Sequence, residues 1–206
     1  MNRCKWVGLF AIAGLFGGFV APVLAQDAGT IKGKVIFKGD KEKFKRSVLD
    51  TSKDPNCKKL ADKIGSEDVV LNTKSDPITV RNVLVHLKEG VPAKKYDVPK
   101  TPVVINQEGC QYKPHMVVLM EGQELQIKNS DDTNHNIHFL PKKNEELNKT
   151  QPKKDMVDTV KLTAEEPFHV KCDVHPWMGA TMAVMNHPFF AVTGEDGTFE
   201  IKNVPP

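Results

Sequence analysis

From Pro102 to Met185 the chain divides into seven short runs rich in β-branched and apolar residues: "PVVIN", "HMVVLM", "ELQIKN", "HNIHFL", "MVDTVKL", "FHVKC" and "TMAVM". Turn chemistry such as "EGQ", "NSDD" and "AEEP" separates them. Short strands at regular spacing predict an all-β sandwich. The most polar interruption, "PKKNEELNKTQPKKD" at 141–155, reads as a long surface loop.

The flanking segments read as β too. "TIKGKVIF" alternates apolar and polar residues from Ile31 through Val35 to Phe37, the period of a half-buried strand. "TVRNVLVHL" at 79–87 repeats the pattern with Val83 and Val85 on one face. Residues 40–77 are rich in Lys, Asp and Ser and hold two Asp-Pro steps, so they read as an irregular connection in which "NCKKLADKI" forms one short helix. At the far end, "FFAVT" and "TFEIKNV" flank Gly194-Glu195-Asp196-Gly197, whose Asp-Gly step predicts a hairpin.

The first 25 residues are set apart from the fold. Arg3 and Lys5 form a basic start, Trp6 to Val20 is apolar, and Val23-Leu24-Ala25 ends in small residues, which is the pattern of a cleaved secretory signal peptide. The apolar run is shorter than the roughly 20 residues a spanning helix needs, so no membrane anchor is expected after cleavage. Without Arg3 and Lys5, 27 of the 29 basic residues remain against 26 acidic ones. That balance argues against nucleic acid as a partner. Export also exposes Cys57, Cys110 and Cys172 to an oxidising compartment, where an odd count implies one disulfide and one protected thiol.

The densest chemistry lies in "KCDVHPWMGATM" at 171–182. A thiolate, an imidazole three residues on and a thioether three residues later form a soft donor set. Copper suits sulfur with imidazole, and two histidines, one cysteine and a weak axial methionine make an electron-transfer site. Cys172, His175 and Met178 supply three of these four ligands. His135, where the polar turn in "NSDDTNHNIHF" enters a strand, is the best source of the second imidazole.

At this point the sequence resembles the cupredoxins, the blue copper proteins, and most the amicyanin type. "QYKPHMVVLMEGQELQIKNSDDTNHNIHF" followed by "KCDVHPWM" carries the resemblance, and "CDVHPWM" fits the C-x2-H-P-aromatic-M ligand loop at every defined position. It covers about 102–185 and implies a Greek-key sandwich holding one type 1 copper ion on His135, Cys172, His175 and Met178. It also implies that Asn136 holds the cysteine loop by hydrogen bonding and that Trp177 packs at the apolar rim. Met182 competes as the axial ligand, since plastocyanin-like loops place methionine five residues after the histidine. It comes seven after His175, however, and strand alternation makes it core.

Other centres fail on counting. Haem attachment needs C-x-x-C-H, a binuclear copper centre needs two bridging cysteines, a Rieske cluster needs two Cys/His pairs, and zinc sites favour a C-x2-4-C pair. With Cys172 used as a ligand, Cys57 and Cys110 form the expected disulfide, the other reading being two buried thiols. His86 and His187 read as surface residues near strand ends, although His187, before Pro188, could also line the junction between the two domains. His115, His138 and His169 are additional imidazoles in the copper region. Period-2 alternation turns His138 and His169 away from the face carrying His135 and Cys172, so they are candidates for a second metal.

"GTIKGKVIFKG" and "VRNVLVHLKEG" resemble the first strands of carboxypeptidase regulatory-like domains, small transthyretin-type β-sandwiches. Their usual next hairpin follows only after the copper region, as "GEDGTFEIKNVPP". This implies a cupredoxin domain at 102–185 inserted into a split carrier sandwich at 29–100 and 186–206; another strand normally follows the "PP" in that fold, so either the sequence is a fragment or the carrier sandwich lacks a strand and exposes an edge. The expected function is a periplasmic or secreted one-electron carrier, not an enzyme. A cytochrome or dehydrogenase would serve as donor and acceptor, docking beside His175, Pro176 and Trp177. The alternative is a copper-binding assembly or storage module of a cell-envelope complex.

Overall fold

The computed structural model of the chain describes residues 28–59 and 64–206. The expected signal peptide lies outside these residues, as does most of the second half of "NCKKLADKI". The first half of that stretch falls in the short helix α1, Pro55–Lys58. No helix among the described residues is long and apolar enough to cross a membrane.

Fifteen strands are described: β1 Gly29–Lys34, β2 Val70–Asn72, β3 Thr79–Arg81, β4 Leu84–His86, β5 Val103–Gln107, β6 Tyr112–Lys113, β7 Met116–Met120 and β8 Glu124–Asn129, then β9 His135–Leu140, β10 Asn148–Gln151, β11 Val157–Lys161, β12 Glu166–Lys171, β13 Gly179–Met185, β14 Phe190–Val192 and β15 Thr198–Val204. The chain is all-β, as the short punctuated runs predict, and all seven runs between Pro102 and Met185 form strands. They build two sheets, one in the order β10-β9-β12-β13-β7 and one in the order β11-β8-β5-β6. The chain crosses between the sheets repeatedly. Two neighbouring pairs, β13 with β7 and β5 with β8, are therefore parallel while the others are antiparallel.

Alternation explains the core between the sheets. Val117 and Leu119, Ile137 and Phe139, Phe168 and Val170, and Ala180, Met182 and Val184 face inward from the five-stranded sheet, and meet Ile105, Leu125 and Ile127 of the other in one cluster. Each large apolar side chain buried there stabilises the fold by about 1.5–3 kcal/mol. By the same parity His135 shares the inward face of β9 with Ile137, and Cys172 continues the inward face of β12 after Val170. Both ligand candidates thus point between the sheets at one end of the sandwich.

Three expectations are corrected. The "PKKNEELNKTQPKKD" segment is not all loop: β10 lies within it and pairs with β9 as the edge of the sheet, with Gln151 opposite His135. Its residues are polar because an edge strand buries little, and only Gln151 of β10 is buried. "TVRNVLVHL" is not one strand. It breaks at Asn82, which has φ of 62°, a left-handed conformation asparagine tolerates better than most residues; β3 then pairs with β2, and β4 with β14. The Asp196-Gly197 turn does close, with the Gly194 N–H donating to the Thr198 carbonyl at 3.0 Å. The two strands it joins nevertheless diverge, β14 to β4 and β15 to β1. Gly197 suits the turn on two counts: its φ is +74°, and a Cβ there would lie 2.4 Å from Thr79 Cβ.

Segments from the two ends of the chain are therefore stitched together. β1 pairs with β15, Thr79 Oγ1 donates to the Asp196 carbonyl at 2.8 Å, and Thr193 Oγ1 donates to the Val80 carbonyl at 2.8 Å. The stretch containing both larger sheets leaves and returns between these contacts.

Candidate metal centre

Three potential ligand atoms converge where β9 begins and β12 ends. His135 Nδ1 lies 3.0 Å from His175 Nδ1, and Cys172 Sγ lies 3.9 Å from His175 Nδ1. His135, Cys172 and His175 are all buried, at 0%, 2% and 2% exposure. The loop carrying two of them is closed at both ends by its backbone. The Cys172 N–H donates to the Met178 carbonyl at 3.2 Å, and the Met178 N–H donates to the His175 carbonyl at 2.9 Å. The His175 N–H points at Cys172 Sγ at 3.3 Å. A cysteine, a histidine and a methionine are thus drawn into one tight turn by the spacing seen in the sequence.

The strands bearing His135 and Cys172 are pinned together. The Tyr112 hydroxyl reaches the carbonyls of Asn136 and Lys171, the residues next to the two candidate ligands. Asn136 Oδ1 accepts from the Asp173 N–H at 3.0 Å, and its Nδ2 donates to Asn148 Oδ1 at 2.6 Å. Asn136 therefore links the His135 strand, the cysteine loop and edge strand β10. The Trp177 ring packs beside His175 at a tilt of 35°, with ring centroids 4.9 Å apart, and its Nε1 donates to the Cys110 carbonyl at 3.1 Å.

Electrostatics favour a thiolate. Burial pushes the Cys172 thiol up, but hydrogen bonds from His135 and His175 and from the backbone of Asn136 and His175 outweigh it and bring it down to about 6. For His135, burial opposes the charged form, yet its bonds to Asp131 and Cys172 raise it above the ordinary imidazole value.

Of the histidines outside this cluster, none is grouped into a second ligand set among the described residues. Among the described residues, neither His138 nor His169 belongs to a group of three or more potential ligand atoms. Both do lie off the core face, as alternation requires, but His138 is already engaged: Nδ1 by Asp173 at 2.9 Å and Nε2 by Glu146 at 2.8 Å. His169 instead lines, with His115, Trp177 and Met178, a recess of about 410 Å³. The surface reading of His187 is corrected: it is buried, its Nε2 3.0 Å from the Leu87 carbonyl, while His86 is exposed as expected.

The disulfide joins Cys57 to Cys110, and Cys172 is the free thiol. Two further groups of potential ligands, Asp54–Cys57–His175 and Cys110–Asp131–His135, each include a sulfur committed to that disulfide. Among the described residues, only His135–Cys172–His175 is therefore a usable set. Its donors fit a first-row ion: bonds of about 2.0–2.1 Å to nitrogen, as for zinc, span two nitrogens 3.0 Å apart. Asp54 and Asp131, which touch the outer nitrogens of the two rings, had no motif to mark them in the sequence.

Met178 is 2% exposed and bonded through its backbone to both Cys172 and His175. Met182 lies in β13 opposite Phe168, fully buried in the core cluster.

No protein-family model matches the chain, and no curated protein does. Solved structures similar to it include a Cu-containing nitrite reductase (NirK) from Thermus scotoductus SA-01, at 15% identity and a TM-score of 0.40. That match covers 50% of this chain and 26% of the reductase, so the chain spans about a quarter of that protein. An amicyanin mutant in the Cu(I) state matches at 20% identity and a TM-score of 0.37, over 43% of this chain and 87% of that one. A purple cupredoxin from Nitrosopumilus maritimus matches at 17% identity and a TM-score of 0.35, over 41% and 98%.

Proposed function

We propose that the chain binds one copper ion, which His135 Nδ1, His175 Nδ1, Cys172 Sγ and the Met178 thioether would hold, and acts as a one-electron carrier, not a catalyst. The observation that carries this reading is the convergence of two imidazole nitrogens and the one free thiol among the described residues in a buried pocket built by two strands and a closed loop. A thiolate, two imidazoles and a thioether match copper better than the carboxylate and water sets of harder ions. When bound, copper supplies a centre that gains or loses one electron. The protein's part is to hold its ligands still between rigid sheets, exclude water and keep Cys172 ready as a thiolate.

The same reading extends to organisation and setting. A cupredoxin-type domain at 102–185 set into a carrier sandwich built from 29–100 and 186–206 is supported by the pairings of β1 with β15 and β4 with β14. The Cys57–Cys110 disulfide supports an oxidising compartment, the periplasm or the exterior. A cytochrome or dehydrogenase would dock weakly near exposed Pro176 and half-buried Trp177.

One observation favours the second reading, a copper-binding assembly or storage module. His175 is only 2% exposed, so an imidazole edge that a redox partner would approach is covered. Adding Cu(II) and recording visible and electron-paramagnetic spectra tests the copper site. An intense thiolate-to-copper band with narrow hyperfine splitting, abolished in Cys172→Ala, is expected; a colourless protein refutes it. Fast, reversible electron exchange with small redox mediators supports the carrier, and a slow or irreversible couple supports the module.

A further inference from the structure

We propose that Asp131 and Asp54 are positioning residues of this metal centre: a carboxylate pair that grips the outer nitrogens of His135 and His175 and is joined through the Cys57–Cys110 disulfide. The inference rests on the metal-binding reading above and names what holds its two imidazoles.

Both rings turn Nδ1 inward toward Cys172, which leaves Nε2 facing outward. His135 Nε2 lies 2.9 Å from Asp131 Oδ2, and His175 Nε2 lies 3.2 Å from Asp54 Oδ2. With a metal bound, an aspartate at each Nε2 would keep the proton there, so that Nε2–H donates to the carboxylate and the Nδ1 lone pair is free for the ion. The two aspartates come from unrelated places. Asp131 is in the turn before β9, whereas Asp54 precedes α1 and is 121 residues from His175.

The disulfide links them through a repeated arrangement. The Cys110 N–H donates to Asp131 Oδ2 at 2.8 Å, and the Cys57 N–H donates to Asp54 Oδ1 at 2.8 Å. Each half-cystine therefore supports the carboxylate that holds one ring. Gly109, with φ of 64°, and Cys110, with φ of 55°, aim their amides together at Asp131. Asp54 also accepts from the Asn56 N–H at 2.7 Å and the Thr133 hydroxyl at 3.3 Å. Burial opposes the charge on both carboxyls, but these donors and the imidazoles outweigh it and keep both below the usual range.

A charged acceptor on Nε2 makes Nδ1 a stronger donor, and a stronger donor favours the more highly charged metal state. Removing the acceptor should therefore weaken Cu(II) binding more than Cu(I) binding and raise the reduction potential. An ion pair that served folding alone would alter stability and leave that difference unchanged.

The test compares full-length wild type with Asp54→Asn, Asp131→Asn and Asp50→Asn by Cu(II) and Cu(I) competition titrations and potentiometry. The new asparagines keep an oxygen for the backbone N–H donors, and thermal unfolding verifies the fold. Exposed Asp50, which bonds only Ser52 among the described contacts, is the control for loss of one charge. Asp54→Asn and Asp131→Asn are each expected to lose about 10- to 100-fold in Cu(II) affinity. A tenfold preferential loss corresponds to about 59 mV upward for a one-electron couple. Asp50→Asn should shift neither. Unchanged affinities and potential in both folded variants, or an equal shift in Asp50→Asn, overturn the proposal. If wild type shows no thiolate-to-copper band, the copper reading falls instead. The comparison then moves to Zn(II) affinity, where a loss below about threefold, well under the usual outer-shell effect, overturns the positioning role.

Discussion

Cys172 concentrates the chemistry of the site in one atom. Four hydrogen-bonding groups bring its thiol down to about 6 against the opposing effect of burial, and a low thiol value makes a ready metal ligand. The neighbouring methionines divide by their surroundings. Met178 belongs to the loop that closes on Cys172 and His175, while Met182 stands opposite Phe168 in the β12–β13 ladder. In the copper-loaded protein, Met178→Leu is expected to shift the visible spectrum and the potential. Met182→Leu should leave both unchanged and cost less than about 1.5 kcal/mol of stability, because the swap conserves volume. Spectroscopy, potentiometry and urea denaturation of the two variants check this; a spectral shift from Met182→Leu alone would reverse the assignment. The sequence separates these methionines because C-x2-H-P-W-M is a local turn and "TMAVM" a local alternation, both readable over a few residues.

Among the elements, β12 does most to organise the site, since Cys172 follows it directly and Glu166 begins it. Glu166 accepts from the backbone N–H groups of Lys142, Lys143 and Asn144 at 2.7, 2.8 and 2.6 Å, and from Asn144 Nδ2 at 2.8 Å. It thereby fixes the turn that carries the chain from β9 toward β10. Burial works against its charge, but these donors hold its carboxyl down to about 2, below the ordinary glutamate value of 4.5. A folded-state value below the unfolded one stabilises the fold fully above about 4.5, and that contribution is lost as pH falls toward about 2. Glu166→Gln is expected to cost about 2 kcal/mol at neutral pH. The gap from wild type should close across that acid window in denaturation curves; a gap independent of pH would refute the charge argument. Glu166 is the second of two adjacent glutamates in a turn-like "AEEP", and nothing local distinguishes it from Glu165. The polar edge strand β10 is hidden in the sequence for a similar reason, because strand formation there depends on β9 being beside it.

For the molecule as a whole, the Cys57–Cys110 bond spans 53 residues and ties the segment before the sandwich to the turn beside the candidate site. Loop-closure entropy assigns a cross-link of this span about 4 kcal/mol. Cys57→Ala/Cys110→Ala should therefore lower the urea midpoint of the metal-free protein correspondingly, and a loss below about 1 kcal/mol would show that the bond adds little to the unfolded chain's constraint. The sequence by itself determined the all-β class, the seven strand-forming runs, and three neighbouring donors at 172–178, since each follows from residues within a turn or a strand period of one another. Tertiary structure alone decided that β14 and β15 part company, that Asn82 splits a continuous-looking strand, and that Asp54 and Asp131 meet the outer nitrogens of His175 and His135. Those outcomes depend on which distant segments come side by side. Side-chain alternation records which face of a strand is buried, but a hydrogen bond across 121 residues exists only once the sheets and the disulfide have closed around it.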